Sequence, residues 1–341
     1  MDAGVPARQY PRVSSTPELP GLRVGIDENG LGPRLGPLVV TAVHARTEGE
    51  GHLLLGRRPR GSLAKRLGDS KALVSFGDVT LGEAWARAVS RIARGTTYGS
   101  PDELIDAISA DERASLVGRC PAHHVDQCWS NVGEGFSAEA SMVSRVTSDL
   151  EKLSGKGIRV VGTEVVIVCP ERLNEAVSRG LSRFAVDLHA MERLALSARA
   201  TSDTDIEVTC GKVGGYDRYG DAFGPLAGRL HTPICEGRAR SEYRVLGLGR
   251  IAFVRDADAG HLLVCMASLI GKWVREVLMA RVTRYHRTFD PSLPEASGYH
   301  DPVTARFIRA SALVRRSRRI SEDCFERRRL PDEPENARKL T

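Results

Sequence analysis

The segment from Arg23 to Val43, RVGIDENGLGPRLGPLVVTAV, constrains this chain more than any other. An apolar entry, RVGID, runs into two adjacent carboxylates, Asp27 and Glu28. Closely spaced glycines and prolines follow, which is turn chemistry. LVVTAV, rich in β-branched residues, then reads as a second strand. The stretch therefore predicts strand, tight turn, strand. A carboxylate at a strand end is exposed yet rigidly held, as a metal site needs. Adjacent strand residues point to opposite sides unless a turn re-aims one, and the glycines after Glu28 permit that. Hard divalent cations want such oxygen ligands. The same acids can equally be turn formers, one of them accepting bonds from backbone amides.

Downstream, strands and helices alternate. TLGEAWARAVSRIA carries Leu81, Trp85, Val89 and Ile92 at helical spacing. DELIDAISADERASLV and AEASMVSRVTSDLEKL read as helices, each opening at a plausible cap. IRVVGTEVVIVC reads as strand and PERLNEAVSRGLSRFAVDLHAMERLALSARA as largely helical. DIEVTCGKV is a strand that enters a glycine-rich stretch, and RVLGLGRIAFVRDADAG supplies more strand. HLLVCMASLIGKWVREVLMARVTRYH is the strongest helix. Its first half is apolar all round and expected to be buried. Its second half sets Lys272, Arg275, Glu276 and Arg281 against a stripe of Trp273, Val277 and Leu278. A short helix is expected around 303–314. The pattern predicts an α/β or mixed-sheet domain with helices on its faces.

Composition narrows the class. The 341 residues carry a formal net charge of +6, which favours a polyanionic partner only weakly. No apolar stretch is long enough and free enough of charge to span a membrane. Residues 1–20 lack the apolar core of a secretory signal and read as a mobile tail. Residues 313–341, with alternating basic and acidic blocks, read as a charged tail, solvated or binding. The seven cysteines are odd in number and widely spaced, which fits reduced thiols in a cytoplasmic protein. CPAHHVDQC groups Cys120, His123, His124 and Cys128. These could hold zinc, or the stretch is an ordinary loop.

GIDENGLGPRLGPLVVTAV resembles the opening motif of the type 2 ribonuclease H family, ribonuclease HII, in which a Gly-Ile-Asp-Glu-x-Gly-x-Gly-Pro segment precedes a Gly-Pro and a second strand. Three later segments resemble the family in the same order. LGDSKAL is similar to its Asp-Ser-Lys motif. RDADAGHLLVCMASLIGKWVRE is similar to its Gly-Asp segment leading into a long helix. SGYHDPVTARFI is similar to its Ser-Gly-Tyr segment. The resemblance covers about 21–312, with an insertion near 212–250. It implies a ribonuclease H-like mixed sheet with helices on both faces and a C-terminal helical segment.

The resemblance further implies a metal-dependent endonuclease that cleaves the RNA strand of RNA/DNA hybrids, or single ribonucleotides embedded in DNA. Two ions, Mg²⁺ or Mn²⁺, would be used, leaving a 3′-hydroxyl and a 5′-phosphate. Asp27 would bridge both ions, and Glu28 and Asp258 would each hold one, with Asp256 in reserve. Gly30, Leu31 and Gly32 correspond to the Gly-Arg-Gly loop that approaches the ribose 2′-hydroxyl. Ser70 and Lys71 would bind a backbone phosphate, and Tyr299 would stack on a deoxyribose. A monomer is expected.

Two departures stand out. Leu31 replaces the family's arginine, with Arg34 nearby. The third family carboxylate falls at Gly211, beside Cys210, so neither residue offers a hard oxygen. Asp217 or Asp221 could substitute. This second departure supports an alternative expectation, a catalytically weak or inactive nucleic-acid-binding protein on the same fold. Such a protein would hold its ligand through Lys71, Arg34 and the basic half of the long helix. A DNA nuclease or recombinase of the wider fold fits the Asp-Ser-Lys and Ser-Gly-Tyr segments less well.

Overall fold

The computed structural model describes residues 21–121, 125–213 and 215–328. Its strands are β1 (Gly21–Asn29), β2 (Leu38–Thr47), β3 (Ile158–Val168), β4 (Ile206–Gly211), β5 (His231–Cys235), β6 (Arg240–Val245) and β7 (Gly249–Val254). The helices of the first half are α1 (Gly51–Leu55), α2 (Ser70–Leu73), α3 (Thr80–Arg94), α4 (Pro101–Ile108), α5 (Arg113–Val117), α6 (Val125–Trp129) and α7 (Ala140–Ser154). Those of the second half are α8 (Pro170–Ser178), α9 (Arg183–Ala200), α10 (Ala257–Gly260), α11 (Leu262–Phe289), α12 (Pro302–Ala310), α13 (Ala312–Ser317) and α14 (Glu322–Phe325).

The strands form one mixed sheet in the order β3-β2-β1-β4-β7-β6-β5. β1, β2 and β3 run as an antiparallel meander, while β4 and β7 lie parallel to β1. The segment after β4 forms the β5–β6 hairpin, which extends the sheet antiparallel to β7. β5 is the exposed outer strand. Its register shifts between Pro233 and Cys235.

Strand alternation explains the layers. Val39, Val43 and Ala45 of β2 join a core with α3, α7 and α11. Leu38, Val40 and Ala42, with Val24 and Ile26 of β1, join a second core against α9. A third cluster gathers Met279 and Tyr285 of α11 with Phe307, Ile320 and Phe325. The α/β class, the helices on both faces and the C-terminal helical segment are those expected from the sequence.

Two expectations are corrected. Arg275 and Arg281 do not face solvent, being 1% and 0% exposed at their side chains. Arg281 crosses to Asp102 at 2.8 Å and Glu134 at 2.6 Å, so a buried cation is matched by buried carboxylates. Arg275 donates to the Ser297 carbonyl and lies 4.5 Å from the Tyr299 ring centre. The charged stretch after 312 is also not a free tail as far as Arg328. It forms α13 and α14 and then buries Arg327, whose guanidinium donates to the carbonyls of Gly36 at 2.7 Å and Gly30 at 2.5 Å. Tail residues 1–20 and 329–341 lie outside the described residues.

β1 meets α11 at Gly25. A Cβ there would stand 2.4 Å from Leu263 Cβ and 2.6 Å from the Val264 nitrogen. Only glycine permits this contact, because the obstacle is helix backbone. Gly25→Ala is expected to lower stability by about 2 kcal/mol or more through overpacking. Urea unfolding of the variant beside wild type measures it, and an unchanged midpoint would refute the close contact.

Candidate active site

Four carboxylates approach one another at the end of β1. Asp27 lies on the α11 side of the sheet, 7% exposed, with the Ser268 hydroxyl of α11 bonding to it. Ser268 also reaches Ser70 Oγ at 3.0 Å, which ties α2 to the same spot. Glu28, the next residue, faces the opposite layer and α9, as alternation requires. Asp258 sits in the first turn of α10, just after β7. Asp187 comes from α9 and is fully buried, and neither of its oxygens has a hydrogen-bond partner among the described residues.

Burial and mutual repulsion push all four upward. The Asp27 carboxyl is raised well above its usual range by desolvation, then by the charges of Glu28 and Asp258. Glu28 is raised to about 8 by burial, then by Asp187 and Asp258, while Lys71 opposes the shift. Asp187 is raised by burial and by Asp27. Asp258 is raised by burial and by Asp69, again opposed by Lys71. Lys71, exposed in α2, is thus the cation facing this cluster, and Asp69 caps its helix by accepting from Lys71 N at 2.9 Å.

A Cβ at Gly211 would stand 2.4 Å from Asp27 Oδ1, so Asp27 itself fills the space beside the glycine. Neither substitute named from the sequence serves. Asp217 pairs with Lys212 at 3.0 Å, and Asp221 is exposed. Asp256 is 72% exposed and pairs with Arg255 at 3.5 Å. Asp187 was missed although a signal existed. It occupies the inward stripe of α9 with Phe184, Leu188 and Met191, where an acid is out of place.

The remaining expected residues form a second group next to the acids. Arg34 N and Leu35 N both donate to the Gly298 carbonyl, at 2.8 and 3.1 Å. The loop of Gly30, Leu31 and Gly32 is thereby tied to Tyr299, and His300 Nε2 sits 3.1 Å from the Gly32 carbonyl. Tyr299 is 40% exposed and its ring packs over Arg275. Arg34 is not a free cation, since it pairs with Glu326 at 2.6 Å. In the basic half of the long helix Arg275 and Arg281 are buried, while Lys272, Arg284 and Arg287 stay partly exposed.

The acids suit a hard divalent cation in kind, and the unpartnered Asp187 oxygens lack only a donor or a positive charge. Among the described residues, however, no three His, Cys, Asp or Glu side chains form a group that could hold an ion as they stand. His123 and His124 of the suspected zinc cluster lie outside the described residues. No described helix is long and apolar enough to cross a membrane.

Glu28 keeps its proton in the folded chain after the unfolded chain has lost it. Its contribution to stability is therefore present below about 4.5 and disappears as pH rises through about 8. The metal-free wild type should lose melting temperature across that window more steeply than Glu28→Gln. Thermal unfolding in chelator from pH 5 to 9 checks this, and parallel curves would contradict it.

No protein-family model matches this chain, and no curated protein matches it. Among solved structures, it is similar to a mutant form of Bst-RNase HIII at 12% identity, covering 90% of this chain and 66% of that one, with a TM-score of 0.41. It is similar to the RNase HII of the Archaeoglobus fulgidus PCNA:RNase HII complex at 17% identity, covering 91% and 98%, with a TM-score of 0.38. It is similar to Aquifex aeolicus RNase H3 at 13% identity, covering 89% and 70%, with a TM-score of 0.39. A further Bst-RNase HIII structure is a complex with Mn²⁺, of which this chain spans 65%. The chain thus spans just under two thirds of the Bst-RNase HIII chains it matches.

Proposed function

We propose that the protein is a divalent-metal-dependent endonuclease that cuts RNA within RNA/DNA hybrids or at ribonucleotides embedded in DNA. The observation that carries this reading is the meeting of Asp27, Glu28, Asp258 and the unpartnered Asp187 beside a single exposed lysine. A buried carboxylate with no donor is costly, and a structural cluster of acids would be paired. The motifs GIDENGLGP, DSK and SGY around the same spot support a nucleic-acid substrate.

Asp27, Glu28 and Asp258 would hold the ions, and Asp187 would supply the carboxylate that Gly211 does not. The side chains must turn onto the ions, because no ligand group is preformed. When bound, Mg²⁺ or Mn²⁺ supplies charge stabilisation to the attacking water and the leaving oxygen of the phosphodiester. The chain does the rest. Lys71 and Ser70, at the start of α2, offer a cation and a hydroxyl for a phosphate next to the cut. Gly32 is exposed with open space where a side chain would stand, so its backbone offers close approach to a ribose, while Gly30 packs against Arg275. Tyr299, held by Gly298 against that loop, presents a ring face to the next sugar. Without a base-reading group in this set, cleavage should follow sugar identity, not sequence.

The test is a labelled duplex carrying one ribonucleotide, incubated with the protein and Mn²⁺ or Mg²⁺. Metal-dependent cleavage is expected, and Asp27→Asn should slow it by about 100-fold or more, some 2.7 kcal/mol of barrier. No cleavage above the Asp27→Asn background would sink the reading. In calorimetry, Asp187→Asn should weaken Mn²⁺ binding by about tenfold, while Asp256→Asn should not change it.

A second reading, hybrid binding without turnover, has one observation in its favour, the missing acid at Gly211. It predicts binding that weakens steeply with salt and no product in either metal.

A further inference from the structure

Away from the acids, the fold collects four cysteines that the sequence scatters. Cys120 follows α5, Cys128 lies in α6, Cys169 immediately precedes α8 and Cys324 lies in α14. All four are half-buried free thiols. Cys128, Cys169 and Cys324 line one cavity of about 20 Å³, walled otherwise by apolar groups such as Trp129, Pro170 and Phe325. Cys120 is close enough for its charge to act on each of the other three. The three remaining cysteines, Cys210, Cys235 and Cys265, lie on β4, β5 and α11.

We infer that Cys120, Cys128, Cys169 and Cys324 form a binding site for a single zinc ion that fastens the C-terminal segment to the body of the protein. Three sulfurs around one small void, with a fourth thiol, Cys120, beside them, are a soft donor set of the kind structural zinc sites use. The void has room for one water-sized guest, which suits a lone ion and not a polynuclear cluster. No donor shell stands ready among the described residues. Binding therefore draws the sulfurs inward to about 2.3 Å from the ion, with each thiol giving up its proton. Three of the four ligands sit at helix ends or in helices of five residues or fewer, where small rotations cost little packing.

The site has a mechanical consequence. Cys324 lies three residues before Arg327, which donates to the carbonyls of Gly30, Leu31 and Gly36. Asn174 of α8 reaches the same segment, donating to the carbonyls of Asp323 and Glu326 at 3.0 and 2.9 Å. Zinc would thus lock the segment that props the glycine loop, without touching the four acids.

Metal analysis of the full-length protein, purified reduced from zinc-supplemented culture, should find about one zinc per chain. Cobalt exchanged into the wild type should give intense thiolate-to-cobalt charge-transfer absorption. The double variant Cys169→Ser/Cys324→Ser should lose both signals. Removing zinc from wild type with a chelator should speed protease cleavage in 312–328. Wild type that neither contains zinc nor yields the cobalt–thiolate band overturns the inference, however the variant folds. A double variant that keeps its zinc overturns it too, by putting the ion elsewhere. Iron with sulfide, or disulfides in place of zinc, would refute the assignment of the ion.

Discussion

β1 and α11 touch with no side chain between them, and the candidate site depends on that contact. Gly25 lets the strand lie on the backbone of Leu263 and Val264. Two residues on, Asp27 is delivered to Ser268 of the same helix. One more residue sends Glu28 to the other layer, towards α9. The parallel pairing of β1 with β4 and of β4 with β7 then carries Asp258, just after β7, to the same end of the sheet. A single close approach therefore sets the distance between layers across which the acids face each other.

The electrostatics of that place are lopsided. Four carboxylates repel one another in low dielectric, and Lys71 alone among nearby cations moderates Glu28 and Asp258. Elsewhere the chain pairs its buried charges with care, as in the contacts of Arg281 with Asp102 and Glu134 and of Arg66 with Asp149. The contrast is the sense in which the acids read as functional. Gly211, at the end of β4, brings no side chain to this place, and the fourth carboxylate there, Asp187, comes from a different layer, α9.

What could be read from the sequence was local. Spacing and turn chemistry alone left Asp27 and Glu28 open between turn formers and metal ligands, and only the resemblance of the whole GIDENGLGP string to a family motif pointed to a site. Asp258 was singled out by the same resemblance, its residue-level alternative being a cap for the helix that follows. The α/β layering followed from alternation and helical spacing. Asp187 escaped because its helix reads as ordinary, and only the tertiary placement of α9 turns its inward stripe towards β1. Arg275 and Arg281 were read as outward because charge usually faces water. Their burial depends on Asp102, Glu134 and Ser297, all distant in the chain. The cysteines illustrate the same limit. Cys120 and Cys128 looked like half of a local motif, whereas the neighbours the fold supplies are Cys169 and Cys324.

The hairpin that lengthens the sheet also ends it. A bare outer strand offers unpaired amides and carbonyls to any passing strand, the usual start of edge-to-edge aggregation. In β5 that invitation is blunted from within. Pro233 removes one amide from the rim, and the slip in register beside it breaks the even ladder another chain would need. Both features make β5 a poor template for a further strand, although the hairpin lengthens the sheet.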